Sequence, residues 1–448
     1  MKRILKDQPY IFISVLRWVS LATIVGILVG LSTTLFLHLL KLSITFTAQY
    51  KYYYFLLPVI LFLTALITKY LAPDAEGHGT EKVIESIHKH AGKINAAVVP
   101  VKLVTTILTV AFGGSGGKEG PCAQIGAGVA SVFAGLIRFN DADRRKLVIC
   151  GVSAGFAAVF GTPIAGAIFG VEVLFVGAIL YDVLLPSFIA GIISYHVSTL
   201  FGVTYFYNPI NVIPVFSDAF FLKVLLAGVV FGIISVLFIE LLHSVDGISH
   251  RLKIWKPWKG IIGGVIIAVT AYLISDKYLG LGLTEVEAVL KGAHASWFDA
   301  FVKMFFTSIT LSFGGSGGII TPIFFVGSTS GSFFAHLLHL DPATFAAIGM
   351  VAVLSGCTNT PIAASIMSVE LFGPQIAPYA TIACVIAFLI SGNTSVYSSQ
   401  EISMNKSTDI KLELEREIEI YDSRVRPLMH RMKNIIGNLF SGSNKGKH

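Results

Sequence analysis

The sequence contains few charged residues. They make up 13% of its 448 residues, whereas hydrophobic residues make up 54%. Ordinary soluble domains carry about 25% charged residues, so the composition excludes that class and indicates an integral membrane protein. The formal net charge is +7, but the basic residues are scattered apart from a cluster at residues 144–146 and others near the C-terminal end. They fit loops that face anionic lipid head groups and cytoplasm, so no nucleic-acid partner is expected.

The sequence also lacks paired cysteines and a recognisable set of catalytic residues. Its four cysteines form no CxxC pair and lie in apolar stretches, which predicts buried small side chains with no disulfide and no metal site. HExxH is absent, and although GxSxG is matched at residues 113–117, 151–155 and 314–318, no nucleophile paired with a base is recognised. Residues 113–118 resemble a phosphate-binding loop, but GxxxxGK[ST] would need a glycine at Phe112 and a Ser or Thr at Glu119. These absences argue against an enzyme and predict no cofactor.

Apolar stretches of spanning or near-spanning length occur throughout the chain. A helix needs roughly 20 apolar residues to cross a bilayer, and fewer where it is short or re-entrant. Lys2, Arg3 and Lys6 precede the first stretch, which places that end in the cytoplasm by the positive-inside rule. The stretch is too long for a signal peptide and no small-residue cleavage site follows it, so we expect a retained helix. The predicted spans are residues 18–40, 54–67, 224–239, 260–274 and 377–390.

Two sequence patterns occur twice. FGGSGG at residues 112–117 recurs at residues 313–318, and each copy reaches a proline four residues later. Thr-Pro-Ile-Ala followed by Val-Glu, within residues 162–174, recurs within residues 360–372. The copies lie 201 residues apart (112 to 313) and 198 residues apart (162 to 360), so the chain is a duplicated unit. In membrane proteins, helices broken by Gly or Pro at matching places in two halves point to a transport site.

The repeat predicts five segments. They are a polar cytoplasmic lead (1–10), a first membrane repeat (11–200), a connection (201–216), a second membrane repeat (217–405) and a short cytoplasmic tail (406–448). The tail is too short for a folded regulatory domain. Within it, residues 409–422 are compatible with a surface helix, and residues 441–448 are expected to be disordered.

Many apolar segments are short and end in Gly or Pro, which predicts broken or re-entrant helices. The turns at residues 113–121 and 314–322, with a third at residues 77–80, would each aim a helix N-terminus into the membrane interior. Unpaired N–H groups and the positive end of the helix dipole attract an anion there. Converging helix ends would bind a halide and still release it. The short helices are expected over residues 123–136, 147–160, 164–174 and 319–334.

Glu119 distinguishes the two glycine turns, because the second copy has Ile320 at that position. On a surface helix, such a glutamate would simply be a cap. At membrane depth its carboxylate can occupy an anion site and leave it when protonated. We therefore interpret Glu119 as a gate and a candidate proton carrier.

These residues resemble the CLC family of chloride channels and proton–chloride exchangers. GKEGP at residues 117–121 matches the family's G(K/R)EGP motif, and GGIITP at residues 317–322 resembles its GxFxP region, with Ile320 in place of phenylalanine. GHGTE at residues 77–81 occupies the position of the family's GSGIP motif, in a much altered form. The resemblance covers residues 10–405. It implies an all-α CLC fold with two inverted-topology repeats, many short or re-entrant helices, and a homodimer with one anion pathway per subunit.

The resemblance also implies roles for individual residues. Glu119 would be the gating glutamate, and the Tyr397 hydroxyl would contact the central chloride ion, although a tyrosine in apolar surroundings is often only packed. Glu119 and Glu172 are the candidates for a proton path, and Glu172 has a structural alternative because Glu370 repeats it in the second half. The expected chloride contacts are His78, Gly79, Lys118, Gly120, Gly318, Ile319, Ile320 and Tyr397, with Ile319 and Ile320 acting through their backbone N–H groups.

Three positions bear on selectivity and coupling. His78 replaces the family's pore serine; it would attract anions when charged and donate one N–H when neutral, unless it lies outside the pathway. Val173 stands where many exchangers have a second glutamate, and the resemblance places a valine there in passive channels, although some exchangers also lack this carboxylate. Fluoride-specific relatives have a glutamate at the position of Ile319, so fluoride export is not expected.

The sequence therefore predicts gated chloride transport, with Val173 favouring passive, channel-like conduction and a proton-coupled chloride exchanger as the alternative. We expect a multi-pass protein of a bacterial inner membrane with both termini in the cytoplasm. Its expected ligands and partners are chloride and other small anions, protons in an exchanger, the lipid bilayer and a second copy of the chain. An intramembrane enzyme and a non-transporting anion sensor are the rival classes, and anion flux through the purified protein would exclude both.

Overall fold

The protein is almost entirely helical. A computed structural model describes residues 2–205, 207, 209–210, 218–404 and 406, and their side chains from residue 10 onwards. Within these residues there are sixteen α-helices, short 3-10 turns and two strands of two residues each. The all-α class is thus confirmed. Residues 409–422, where a surface helix was considered, lie outside the described residues.

The helices fall into two sets of eight that correspond in order, and two of the pairs have equal lengths. The fourth and twelfth helices both have 14 residues, and the fifth and thirteenth both have 18. The first set is α1 (Lys2–Thr47), α2 (Leu57–Leu71), α3 (Thr80–Lys89), α4 (Val98–Ala111), α5 (Glu119–Leu136), α6 (Asp141–Phe160), α7 (Pro163–Glu172) and α8 (Tyr181–Leu200). The second set is α9 (Asp218–Arg251), α10 (Lys256–Leu273), α11 (Leu283–Leu290), α12 (Asp299–Ser312), α13 (Ile320–Leu337), α14 (Pro342–Thr358), α15 (Pro361–Phe372) and α16 (Ala377–Ile390).

Local sequence explains where several helices begin and end. α7 and α15 both start with a proline, whose fixed φ suits the first helical turn and whose missing N–H costs nothing there. Before α6, the Asn140 side chain accepts a hydrogen bond from the Asp143 backbone N–H at 2.8 Å, and α6 stops at Gly161, which has φ +74°. The glycines and prolines therefore break the apolar sequence into short helices as expected.

Four helical segments are long and apolar enough to cross a membrane. They are Tyr10–Thr47, Tyr53–Leu71, Tyr181–Leu200 and Asp218–Arg251. Three of the predicted spans lie within them, at residues 18–40, 54–67 and 224–239. The predicted spans at residues 260–274 and 377–390 instead fall on α10 and on a shorter apolar helix, Pro374–Ile390. Tyr181–Leu200 was missed. α1 is already helical at Lys2, within the segment expected to be a polar lead.

Both repeats contribute backbone to one central junction. Gly117 and Gly318 form an antiparallel bridge in which each N–H donates to the other's carbonyl at 2.6 Å. A Cβ placed on Gly116 would lie 3.3 Å from the Gly317 Cα, so only glycine permits this approach without displacement. The glycine turns of the two repeats, which were expected to converge, therefore meet, and their backbones run in opposite directions at the contact.

The two short strands connect distant parts of the chain. β1 (Phe175–Val176) follows α7 and pairs in parallel with β2 (Glu401–Ile402). The Gln400 side-chain amide supports this pairing by donating to the Val173 carbonyl at 2.8 Å. The C-terminal end of the second repeat is thus fixed against the end of α7, which positions the segment that carries Tyr397. The cysteines are all buried and free, as predicted: Cys122, Cys150, Cys357 and Cys384.

Candidate anion-binding site

Glu119 is the first residue of α5, and its side chain reaches across to the other repeat. Its carboxylate Oε2 accepts hydrogen bonds from the Thr321 backbone N–H at 3.1 Å and from the Thr321 hydroxyl at 2.6 Å. Thr321 is the second residue of α13, and Glu119 is only 2% exposed. The carboxylate therefore sits at the positive N-terminal end of α13, where unpaired N–H groups would also bind a free anion.

Three of the buried polar side-chain atoms that have no hydrogen-bond partner among the described residues belong to residues 78, 80 and 397. They are His78 Nδ1, Thr80 Oγ1 and the Tyr397 hydroxyl, and we call these residues the polar trio. The His78 and Tyr397 rings lie with their centroids 5.5 Å apart, and the Thr80 hydroxyl lies beside the Tyr397 hydroxyl without meeting hydrogen-bond geometry. Buried polar groups nearly always have partners, so three unpaired ones together indicate a ligand site.

Glycines allow the His78 loop to touch the start of α5. A Cβ on Gly120 would overlap the His78 carbonyl oxygen, and a Cβ on Gly79 would lie 2.8 Å from the Gly120 carbonyl oxygen. Gly79 also has φ +86°, a conformation that side chains rarely adopt. The structure therefore brings His78 and Gly79 against the helix that carries Glu119.

The N-termini of α5 and α13 also meet each other. A Cβ on Gly318 would lie 2.8 Å from the Gly120 nitrogen, and Ile319 and Ile320 are 1% and 0% exposed at the start of α13. Lys118 precedes α5 and is half-buried, with its backbone carbonyl accepting from Cys122 N–H at 3.1 Å. All the expected chloride contacts thus belong to this junction or to the polar trio.

Glu172 lies in a different kind of contact. Its two carboxylate oxygens accept from the backbone N–H groups of Ile362 and Ala363, at 3.0 and 2.8 Å, at the start of α15. Glu370 makes the reciprocal contact at the start of α7, with the N–H groups of Ile164 and Ala165 at 3.1 and 2.7 Å. Each glutamate caps a helix of the other repeat, so the geometry favours the structural alternative for Glu172 over a place on the proton path.

Sequence reasoning missed two buried lysines. Lys102 donates to the carbonyls of Ala75 and Gly77 at 3.2 and 2.5 Å and so fixes the loop that leads into His78. Lys303 holds the equivalent loop of the second half by donating to two carbonyls, each at 2.9 Å. Both side chains are 0% exposed. Because they lie 201 residues apart, from 102 to 303, a systematic comparison of the halves would have found them.

Thr80 and Glu81 were also missed as candidate site residues. Glu81 Oε1 accepts hydrogen bonds from the Ser398 hydroxyl at 2.7 Å and from the N–H and hydroxyl of Ser399 at 2.9 and 2.6 Å. Glu81 therefore fixes the two residues that follow Tyr397. The signal for Glu81 in the sequence was weak. It lay only in the strong departure of the motif around Glu81 from the family pattern.

Comparisons with known proteins find relatives over most of the chain. A family model described as "Voltage gated chloride channel" matches residues 59–392. A chloride/fluoride channel protein of Pseudomonas syringae pv. tomato is 37% identical over 406 residues, which cover 89% of this chain and 88% of that protein.

Solved structures show the same fold. The crystal structure of a CLC-type fluoride/proton antiporter superimposes with a TM-score of 0.83 at 29% identity, covering 86% of this chain and 98% of the other. A slow cyanobacterial Cl⁻/H⁺ antiporter has a TM-score of 0.75 at 21% identity, with 85% and 96% covered. The fold implied by the sequence motifs is therefore confirmed.

Proposed function

The chain belongs to the voltage-gated chloride channel family, also known as the CLC family, and we propose that it moves chloride across a membrane under the control of Glu119. The family is one of integral membrane channels and transporters, so the chain is not an enzyme. The observation that carries the proposal is the Glu119 carboxylate on the first turn of α13, bonded twice to Thr321.

The proposed gate works by competition for one site. An ionised Glu119 satisfies the N-terminus of α13 and excludes a dissolved anion of the same charge. Protonation removes that charge and weakens the bonds to Thr321, because the neutral group interacts less strongly with the helix dipole. The side chain then leaves and chloride takes its place. Since protonation opens the site, anion flux should rise as the pH falls.

The polar trio supplies the second position along the path. The hydroxyls of Thr80 and Tyr397 can both donate to an anion, and His78 can donate through Nδ1 when that nitrogen carries the proton. Several weak donors in a site without a full opposing charge suit an ion that must bind and leave again. Chloride fits this chemistry, and other small anions should compete with it.

The mode of transport has two candidates. Val173 in place of a glutamate favours passive conduction, which was the expectation from sequence. Proton-coupled exchange is favoured by the relative that is 29% identical, a fluoride/proton antiporter. Glu119 could serve either mode, as a gate alone or as a gate that also carries a proton.

Fluoride is the second candidate anion. Two relatives, a chloride/fluoride channel protein and a fluoride/proton antiporter, favour it. Ile319 argues for chloride, because an apolar residue stands where the resemblance places a glutamate in fluoride-specific members. We further propose that the chain forms a homodimer in a bacterial inner membrane with both termini in the cytoplasm.

Reconstitution into liposomes tests the proposal. We expect the purified wild type to release trapped chloride faster at low pH than at high pH, and Glu119→Gln to release it at a rate independent of pH. Fluoride-loaded vesicles measured in parallel decide the anion. Glu287→Gln, a neutralised carboxylate that is 48% exposed and distant in sequence, is the matched control and should behave as wild type.

Two results would contradict the proposal. Wild-type vesicles that release neither anion faster than protein-free vesicles would remove the transport function. A Glu119→Gln variant that keeps the wild-type pH dependence would leave transport intact but remove Glu119 as the gate.

A further inference from the structure

Glu81 has two carboxylate oxygens in different environments. Oε1 accepts three hydrogen bonds from Ser398 and Ser399, whereas Oε2 is buried and has no partner among the described residues. A buried acceptor without a donor is unfavourable, and for a carboxylate the cost falls when the group binds a proton and loses its charge. The arrangement thus holds Glu81 in place through one oxygen and leaves the other available to a proton.

The position of Glu81 places this oxygen next to the pathway. Glu81 is the second residue of α3, directly after Thr80 and three residues after His78. Its hydrogen-bond donors directly follow Tyr397, and Glu81 and Glu119 are both close enough to act electrostatically on the Tyr397 hydroxyl. Two carboxylates therefore lie near Tyr397, and the His78 loop touches the start of α5, the helix that begins with Glu119.

Within the described residues, no lysine, arginine or histidine forms an ion pair with Glu81. Lys82 on the same helix donates to Glu85 at 2.8 Å, and Lys102 from α4 donates to backbone carbonyls. At the far end of α3, His88 pairs with Glu401 from β2 at 3.1 Å. From the 395–400 loop only hydroxyl and N–H donors reach Glu81, and Tyr397 is the titratable group of that loop.

Glu172 is less suited to exchange a proton. Both of its oxygens accept backbone N–H groups of α15, so protonation of either would sacrifice a helix cap. Glu81 can take up a proton on Oε2 without losing any of its three hydrogen bonds. The Glu81 residue as a whole is partly exposed, although Oε2 itself is buried.

We propose that Glu81 is the second proton-exchanging carboxylate of the pathway and passes protons between the solvent and Glu119 through the polar trio. This inference rests on the proton-coupled form of the proposed function. In the step, a proton leaves Glu81 Oε2, which keeps the electron pair, and moves along His78 and intervening water to a Glu119 oxygen. Glu119 becomes neutral and releases Thr321, while Glu81 returns to the carboxylate form and takes up another proton from solvent.

The test measures proton and chloride movement together. Full-length protein is reconstituted in weakly buffered liposomes with an outward chloride gradient and the membrane potential clamped near zero by potassium and valinomycin. We expect wild type to move protons in the direction opposite to chloride. In Glu81→Gln the amide oxygen still accepts from the serine residues but the side chain cannot carry a proton, so the proton-to-chloride ratio should fall about tenfold or more while chloride still moves.

Glu85→Gln is the matched control. Glu85 lies on the same helix, and its hydrogen bond from Lys82 holds the pKa of the Glu85 carboxyl below its usual range, so it stays ionised and should not relay protons. We expect the wild-type proton-to-chloride ratio in this variant. Glu81→Asp restores a carboxylate and should recover proton movement together with chloride flux.

The outcomes separate this inference from the proposed function. The role of Glu81 is overturned if Glu81→Gln keeps the proton-to-chloride ratio of wild type. It is also overturned if the wild-type protein moves chloride without moving protons. Both results leave anion transport standing. Absence of chloride flux in wild type removes the proposed function instead. If Glu81→Gln does not fold, Glu81→Asp decides, because chloride flux without protons in that variant would overturn the inference.

Discussion

At the scale of single residues, a buried carboxylate at a helix N-terminus competes directly with a dissolved anion. The bonds from Thr321 to Glu119 use the same donors that would hold chloride. The competition can be reversed because one proton changes the charge of Glu119 but leaves the helix unchanged. A lysine or arginine at that place would bind the anion permanently, whereas a helix end offers only about half a charge.

His78 is the residue for which sequence left two alternatives. Its ring packs 5.5 Å from the Tyr397 ring and its loop contacts the start of α5, which supports a place in the pathway. Replacing it by serine removes a bulky ring and leaves a small hydroxyl donor, which gives the larger anion more room. We expect the nitrate-to-chloride permeability ratio of His78→Ser to rise by about fivefold, the equivalent of about 1 kcal/mol or one hydrogen bond.

Permeability ratios from reversal potentials in planar bilayers, or from paired efflux assays, measure this effect. His90→Ser makes the same substitution at an exposed position directly after α3. It should leave the nitrate-to-chloride permeability ratio at the wild-type value. A ratio in His78→Ser equal to that of wild type would place His78 outside the anion pathway.

At the scale of helices and loops, the contact between the His78 loop and α5 depends on the absence of a side chain at Gly120. A Cβ there would overlap the His78 carbonyl oxygen, and backbone atoms cannot yield as a flexible side chain can. Gly120→Ala should therefore force the loop away from α5 and strongly reduce chloride flux, while α5 itself stays helical because alanine is a better helix former than glycine.

Gly135 on the same helix supplies the control. A Cβ at Gly135 meets nothing within 4 Å, so Gly135→Ala should leave chloride flux at the wild-type level. Efflux from liposomes and circular dichroism of both variants in detergent separate the local effect from unfolding. Wild-type flux in Gly120→Ala would show that this close contact is not needed for transport.

At the scale of the whole molecule, duplication explains why much of the fold could be predicted. FGGSGG and its second copy are strong local signals, and the structure joins them in one junction as the repeat suggested. Gly, Pro and Glu at these turns restrict the backbone directly, so their consequences follow from short stretches of sequence. The helix ends and the position of Glu119 at the junction could therefore be located from sequence.

Contacts between distant parts of the chain could not be predicted in the same way. Glu81 meets Ser398 and Ser399 just before the strand β2, which pairs with β1, and no local pattern reports these contacts. Lys102 lies in an apolar stretch, so a hydropathy pattern does not mark it as a functional residue. Its role depends on two carbonyls of a loop that precedes α4. Such residues become visible only once the tertiary arrangement is known.

The reciprocal caps of Glu172 and Glu370 join the two repeats, and we expect them to matter for stability rather than for coupling. Replacing either by glutamine removes a charge at a helix N-terminus and turns one acceptor into a donor that faces an N–H. Each variant should lose about 1–3 kcal/mol of unfolding free energy, seen as a lower thermal midpoint in detergent, with Glu287→Gln unchanged.

The two losses should be similar because the contacts are equivalent, with distances of 3.0 and 2.8 Å for Glu172 and 3.1 and 2.7 Å for Glu370. In liposomes, Glu172→Gln should keep the wild-type proton-to-chloride ratio, since its oxygens serve the start of α15. A stable Glu172→Gln variant with no proton movement would return Glu172 to the proton path. That result would contradict the structural role assigned to Glu172, whereas the role of Glu81 is tested separately by Glu81→Gln.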